Sequence, residues 1–270
     1  MGGRKAALGT LLQDILRTRK ATSDSRDRGG AEARAWTGPE PEALFFVHIP
    51  KCAGSSFRQV LKHWFGRGAL FLDTHEAQAL RSAVDRLHAP PQAIAGHIPF
   101  GLHDALPVRP CYVSLVRHPL DRFVSLYKHA RRTPGHTLHP AASRLDLEAF
   151  YDFTLKDGGP RNATVGVQCY FLSRARSFQQ ARAVIDRRYA LLAPTERYLD
   201  FVDACAERFG REPLQAPPRN VGGDVAGLEA GRSALESRIE VDHADDLSLY
   251  RYVRETFDAR RGSLSFALRA

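Results

Sequence analysis

Cysteine is scarce in this chain. Cys52, Cys111, Cys169 and Cys205 lie far apart, with no CxxC pair and no Cys/His cluster at metal-ligand spacing. That spacing excludes a zinc site of ordinary design and makes a reduced compartment the simpler reading. Long hydrophobic runs are also missing: none approaches the roughly 18 residues of a membrane-spanning helix. The N-terminus lacks the continuous apolar stretch and small-residue cleavage site of a secretory signal, so the cytoplasm is the expected location. Acid is in the minority, with Lys and Arg numbering 39 against 30 Asp and Glu in 270 residues. Residues 1–35 carry part of the excess, eight basic side chains against four acidic. The basic body is too diffuse for the dense stripe a duplex nucleic acid needs and suits a phosphorylated small ligand. No repeat is visible. A composition of 43% hydrophobic and 26% charged residues is that of a globular chain with a sizeable core.

The apolar pattern divides the chain into residues 1–43 and a folded domain, 44–270. Leu8, Leu11, Leu12, Ile15 and Leu16 fall at helical spacing between basic flanks. Such a stripe either docks on its own domain or makes peripheral contact with an anionic membrane, and both remain open. Residues 18–43 read as a polar linker. The run Leu44–His48 is compact and apolar, as in a buried parallel strand. A loop with Pro50, Ala53 and Gly54 follows, then a helix with Phe57, Val60, Leu61 and Trp64 inward and Ser55 or Ser56 as cap. Further strands are expected at 93–97, 111–116 and 189–193. Helices are expected after Pro119, over 147–156, 161–173 and 177–188 (opened by a Ser177 to Gln180 capping box), from a Thr195 cap to Gly210, and near 241–259. Residues 211–235 read as a long irregular loop. Alternation of apolar strands and helices implies an α/β single domain, a central parallel sheet flanked by helices.

Two stretches carry chemistry. In His-Ile-Pro-Lys-Cys-Ala-Gly-Ser-Ser, residues 48–56, a strand, a small-residue loop and a helix N-terminus gather backbone N–H groups and the Lys51 ammonium around one point, which is what a phosphate needs. A plain strand-to-helix turn is the alternative. The lysine precedes the glycine, unlike GxxxxGK[ST], so ordinary ATP or GTP hydrolysis is disfavoured. In Tyr112–Tyr127, Arg117 leaves a strand end and Ser125 follows about two helical turns later, so both can converge on one anion. Arg122 is read as a solvated or ion-paired side chain. Between these stretches lies Ala-Gly-His-Ile-Pro-Phe-Gly-Leu-His, residues 95–103, with His97 and, second in rank, His103.

These segments resemble the PAPS-dependent sulfotransferase family (PAPS being 3'-phosphoadenosine-5'-phosphosulfate), in the branch of heparan sulfate 2-O-sulfotransferase and bacterial carbohydrate sulfotransferases. The first is similar to the family's 5'-phosphosulfate loop, with Cys52, Ala53 and Ser55 standing where Thr, Gly and Thr are commoner. The resemblance implies that Lys51, Cys52, Ala53, Gly54, Ser55 and Ser56 hold the phosphosulfate, and that Arg117 and Ser125 hold the 3'-phosphate. It further implies that His97 is the catalytic base, beside Lys51 as electrostatic catalyst. Softer likenesses extend over most of 44–260: a helix with Gln168 on the acceptor side, Thr195-Glu196-Arg197, and a Pro218-Arg219-Asn220-Val221 loop in which Arg219 contacts the 3'-phosphate. For Glu196 an acid placed to favour a helix dipole is the alternative. The implied fold is the P-loop-like sulfotransferase fold.

The expected activity is transfer of a sulfuryl group from PAPS as co-substrate to a hydroxyl acceptor, a carbohydrate by resemblance, with no metal required. The rivals are a kinase-like phosphotransferase using ATP in the same cradle and a non-catalytic nucleotide- or glycan-binding protein.

Overall fold

The computed structural model describes residues 41–102, 106–156, 164–214 and 228–266, with side chains to 262. The N-terminal stripe at 8–16, most of the 18–43 linker, His103, Asn162 and the loop containing Arg219 lie outside the described residues.

Five strands form one all-parallel sheet: β1 (Glu42–Val47), β2 (Ala69–Phe71), β3 (Ala93–Gly96), β4 (Arg109–Val116) and β5 (Tyr189–Pro194), in the order β2-β3-β1-β4-β5. The registers Leu44↔Ala93 and Leu44↔Cys111 put β1 at the centre. Its run Ala43–Val47 is buried throughout, as expected for a strand covered on both faces. Between the strands lie α1 (Gly54–Phe65), α2 (Ala77–Asp85), α3 (Pro119–Arg132), α4 (His139–Ala142), α5 (Leu147–Leu155), α6 (Val167–Ser173) and α7 (Phe178–Arg188). After β5 come a 3-10 turn (Thr195–Arg197), α8 (Tyr198–Arg208), α9 (Leu228–Asp242) and α10 (Ala244–Phe266).

The main core sits on the sheet, where Phe57 of α1 meets Phe46 and Phe201 at ring-centroid distances of 4.8 Å each. A second apolar cluster joins α3, α5 and α9 through Phe123, Tyr127, Phe150, Tyr151, Leu235 and Ile239. The chain winds from β1 through β2 back to β3, which lies beside β1, and then places β4 on β1's other flank. Strand order therefore reverses across β1, and the crevice outside its carboxyl end is where ligands of open α/β sheets bind.

Several expectations need correction. β2 and α2 were not expected. The helix after the Lys51 loop starts without a serine cap: its N-cap is Ala53 in the left-handed region, and no side chain caps it. Ser177 is the N-cap residue of α7, but its side chain accepts no capping hydrogen bond; the N–H of Phe178 goes to Asp245 Oδ1 at 2.7 Å. Thr195 belongs to the 3-10 turn, and Arg197 is the N-cap of α8. The expected loop over 211–235 holds the first half of α9, and the final helix runs farther than 241–259. Gly231, which reads as a breaker, lets α9 approach α5: a Cβ there would lie 3.2 Å from Leu147 Cβ. The helix expected over 161–173 begins only at Val167, after Gly166 at φ 62°.

Candidate active site

Parallel strands bring all their carboxyl ends to one edge, and that edge collects His48 and Lys51 after β1, Asp73 after β2, His97 after β3, Arg117 after β4 and Glu196 after β5.

The loop after β1 has an unusual backbone. Lys51 and Ala53 have φ of 69° and 56°, whereas Cys52 between them does not share that region. A non-glycine residue there costs about 1–3 kcal/mol. The alternation turns successive N–H groups to one side, the geometry of an anion-binding concavity. Ala53 O accepts from the N–H of Ser56 and Phe57 at 3.1 and 3.3 Å, while the amides of Gly54 and Ser55 are first-turn donors without a helical partner. Gly54 is obligatory, since a Cβ on it would lie 1.8 Å from His48 Cδ2 and 2.1 Å from Nε2.

His48 is a buried ring stacked on His97 at 4.2 Å. Burial first, then the neighbouring His97 and Arg58, push its pKa down to about 3, so it is neutral. Its backbone oxygen fixes the next ring. His97 Nδ1 lies 2.7 Å from His48 O, a carbonyl that can only accept. Nδ1 therefore carries a hydrogen, and in the neutral form of the ring it is Nε2 that presents the lone pair. The N–H of His97 donates to Asp73 Oδ1 at 2.8 Å, and Arg58 lies 3.7 Å from the same carboxylate. Burial alone would raise the Asp73 carboxyl, but the His97 backbone N–H, the neighbouring His97 ring and Arg58 outweigh it and hold it below its ordinary value.

Arg117 Nη1 donates to Lys51 O at 3.3 Å, so the two cations taken from separate motifs share one neighbourhood. Burial, then Arg132 and Arg117, lower the Lys51 pKa. Ser125 is half-buried on α3, and its helical face also carries His129 and Arg132. The rings of His129 and His136 are 5.3 Å apart, and both imidazoles are lowered first by burial and next by Lys51.

Other residues turn away from the crevice. Cys52 is fully buried, its thiol toward Gln168 Oε1 at 3.5 Å and pushed up to about 12 by burial, so only its backbone remains available to a ligand. Arg122 is buried rather than solvated: Nη2 donates to Thr164 O at 2.6 Å, and buried Asp246 balances its charge. Gln168, expected on the acceptor side, is fully buried and bonds the backbone of Arg117. Glu196 lines a separate cavity of about 440 Å³ with Pro194, Arg197, Tyr250, Arg254 and Phe257, and none of Lys51, His97 or Arg117 borders it. Sequence reasoning passed over Asp73, Arg58, His136 and the clamp made by Gln168; a carboxylate just after a short strand was the available signal for Asp73.

Residues 36–158 match the family model described as Sulfotransferase family. The matched span includes Lys51, His97, Arg117 and Ser125, and it supports a sulfotransferase family and sulfuryl transfer in general. The α/β fold, one five-stranded parallel sheet with flanking helices, is consistent with that family. No curated protein matches the chain.

Proposed function

We propose that the chain is a PAPS-dependent sulfotransferase acting on a hydroxyl of a carbohydrate. The observation that carries this reading is the meeting of Arg117 with Lys51 at the switch point, with the Nε2 lone pair of His97 at the neighbouring strand end. An anion cradle alone would suit many phosphates. A second cationic corner beside it suits a nucleotide phosphorylated at both ends, which ATP is not.

The loop fits such a ligand: the left-handed pair Lys51 and Ala53 and the first-turn amides of Gly54 and Ser55 supply donors, and Lys51 supplies charge. Lys51 with Gly54, Ser55 and Ser56 would hold the 5'-phosphosulfate, and Arg117 with Ser125 the 3'-phosphate. PAPS, when bound, supplies the sulfuryl group. His97 accepts the acceptor's proton at Nε2, and its Nδ1–H bond to His48 O holds that tautomer as the proton arrives. Buried, neutral His48 backs the ring without adding a competing charge. The Lys51 ammonium stabilises charge that develops on the leaving oxygen. The chemistry asks for no metal. Arg219 is assigned to the 3'-phosphate with Arg117. Four free, buried cysteines support the cytoplasm as the compartment; among the described residues, no helix is long and apolar enough to cross a membrane.

Calorimetric titration with PAP (the desulfated donor) and with ATP plus Mg2+, followed by labelled sulfate transfer from PAPS to a panel of saccharides, tests the reading. PAP is expected to bind more tightly without added metal. His97→Ala and Lys51→Ala are each expected to lower turnover by about a hundredfold or more. Preference for ATP, or full turnover in the His97 variant, sinks the assignment.

A further inference from the structure

A primary amide inside an apolar core is costly unless its carbonyl and its NH2 both find partners. Gln168 is fully buried in α6, and its partners belong to two other parts of the chain. Its Oε1 accepts the backbone N–H of Arg117 at 2.9 Å, and its Nε2 donates to Arg117 O at 2.8 Å. The side-chain amide thus pairs with both peptide groups of one residue just past the end of β4, as a neighbouring strand would. The second lone pair of Oε1 faces the Cys52 thiol at 3.5 Å, one residue from Lys51.

The clamp is itself anchored. Asp246 of α10 is buried, and its two oxygens accept the N–H groups of Gln168 at 3.4 Å and Cys169 at 3.0 Å. One amide therefore touches Arg117 and the residue beside Lys51 from a helix start tied to α10 through Asp246. The Arg117 guanidinium, with its backbone so fixed, reaches Lys51 O.

We propose that Gln168 is a positioning residue that sets the separation of the Lys51 and Arg117 corners and so the selectivity for a nucleotide carrying phosphates at both its 5' and 3' positions. This rests on the sulfotransferase reading above. An amide that merely filled the core would, when replaced, weaken all nucleotides alike. One that places Arg117 relative to the loop would weaken the doubly phosphorylated ligand selectively.

The test compares the affinities of the full chain for PAP and for AMP, which lacks the 3'-phosphate, in wild type, Gln168→Met, Arg117→Ala and the double variant. Gln168→Met is expected to cut the PAP-to-AMP preference by about tenfold, and by no further factor once Arg117 is alanine, as for residues acting through one another. Gln168→Glu keeps the acceptor for the Arg117 N–H and, as a carboxylate at high pH, loses the donor to Arg117 O; measured there, it is expected to fall between wild type and Gln168→Met, and it serves if the methionine variant does not fold. A wild-type protein with no preference for PAP over AMP overturns the sulfotransferase reading and this inference together. A preference that survives both Gln168 variants, or equal weakening of PAP and AMP, overturns the role of Gln168 alone.

Discussion

His48 links the folding of the site to pH in a measurable way. Burial first, then His97 and Arg58, hold its imidazole near a pKa of about 3, whereas in the unfolded chain it titrates near its ordinary value of 6.5. Below that value the unfolded state takes up a proton that the native state refuses, so stability is complete above about pH 6.5 and falls as pH drops toward 3. Each pH unit in that window is worth about 1.4 kcal/mol. Because the unfolded imidazole is only partly titrated at the upper end, the loss from pH 7 to pH 5 due to this one ring is about 2 kcal/mol. Urea unfolding at pH 5, 6 and 7 reads it as a midpoint shift of roughly 1 M. His118, His129 and His136 are lowered too, first by burial, and act in the same direction. They are common to wild type and His48→Gln, so the difference between the two isolates His48. The variant is expected to lose about 2 kcal/mol of the wild-type dependence between pH 7 and pH 5. Parallel pH profiles for the two proteins would refute the argument that the ring is buried neutral.

Gly54→Ala places a methyl group 1.8 Å from His48 Cδ2, where the ring is hemmed in by His97 at 4.2 Å; the expected cost is about 1–3 kcal/mol of stability, read as a lower melting temperature, together with weakened PAP binding because the shifted loop loses its amide geometry. Arg117→Ala is expected to raise the Kd for PAP by about tenfold or more while leaving the Kd for AMP nearly unchanged, which calorimetry separates.

Legibility in the sequence followed the range of the interactions. β1, β3, β4 and β5 could be read because strands buried on both faces leave apolar runs such as Ala43–Val47 and Cys111–Val116, the latter interrupted only by Ser114. β2 is three half-buried residues, too short for any period to register. Helix α9 hid behind Gly231, which local propensity reads as a breaker and the fold uses for its approach to Leu147. The two cationic corners were legible for a local reason: strand, loop and helix N-terminus around Lys51 and Arg117 are contiguous, so the chemistry is written in a few neighbouring residues.

The links between those corners were not contiguous, and they explain why roles went astray. Asp245 accepts the first N–H of α7, that of Phe178, from 67 residues away. Gln168 reaches Arg117 across 51 residues and Cys52 across 116. Apolar periodicity reports which face of a helix is buried, but it says nothing of what a polar residue on that face will meet. Yet the sequence did contain a clue: in Val-Gln-Cys-Tyr-Phe-Leu, residues 167–172, one amide stands on a stretch otherwise fit for the core. An amide there must satisfy both its oxygen and its nitrogen, and the groups with unspent hydrogen bonds near a parallel sheet's carboxyl edge are the peptides just past the strand ends. A lone buried amide in such a helix therefore points to a strand-end backbone as its partner, and here that backbone belongs to the arginine of the second corner.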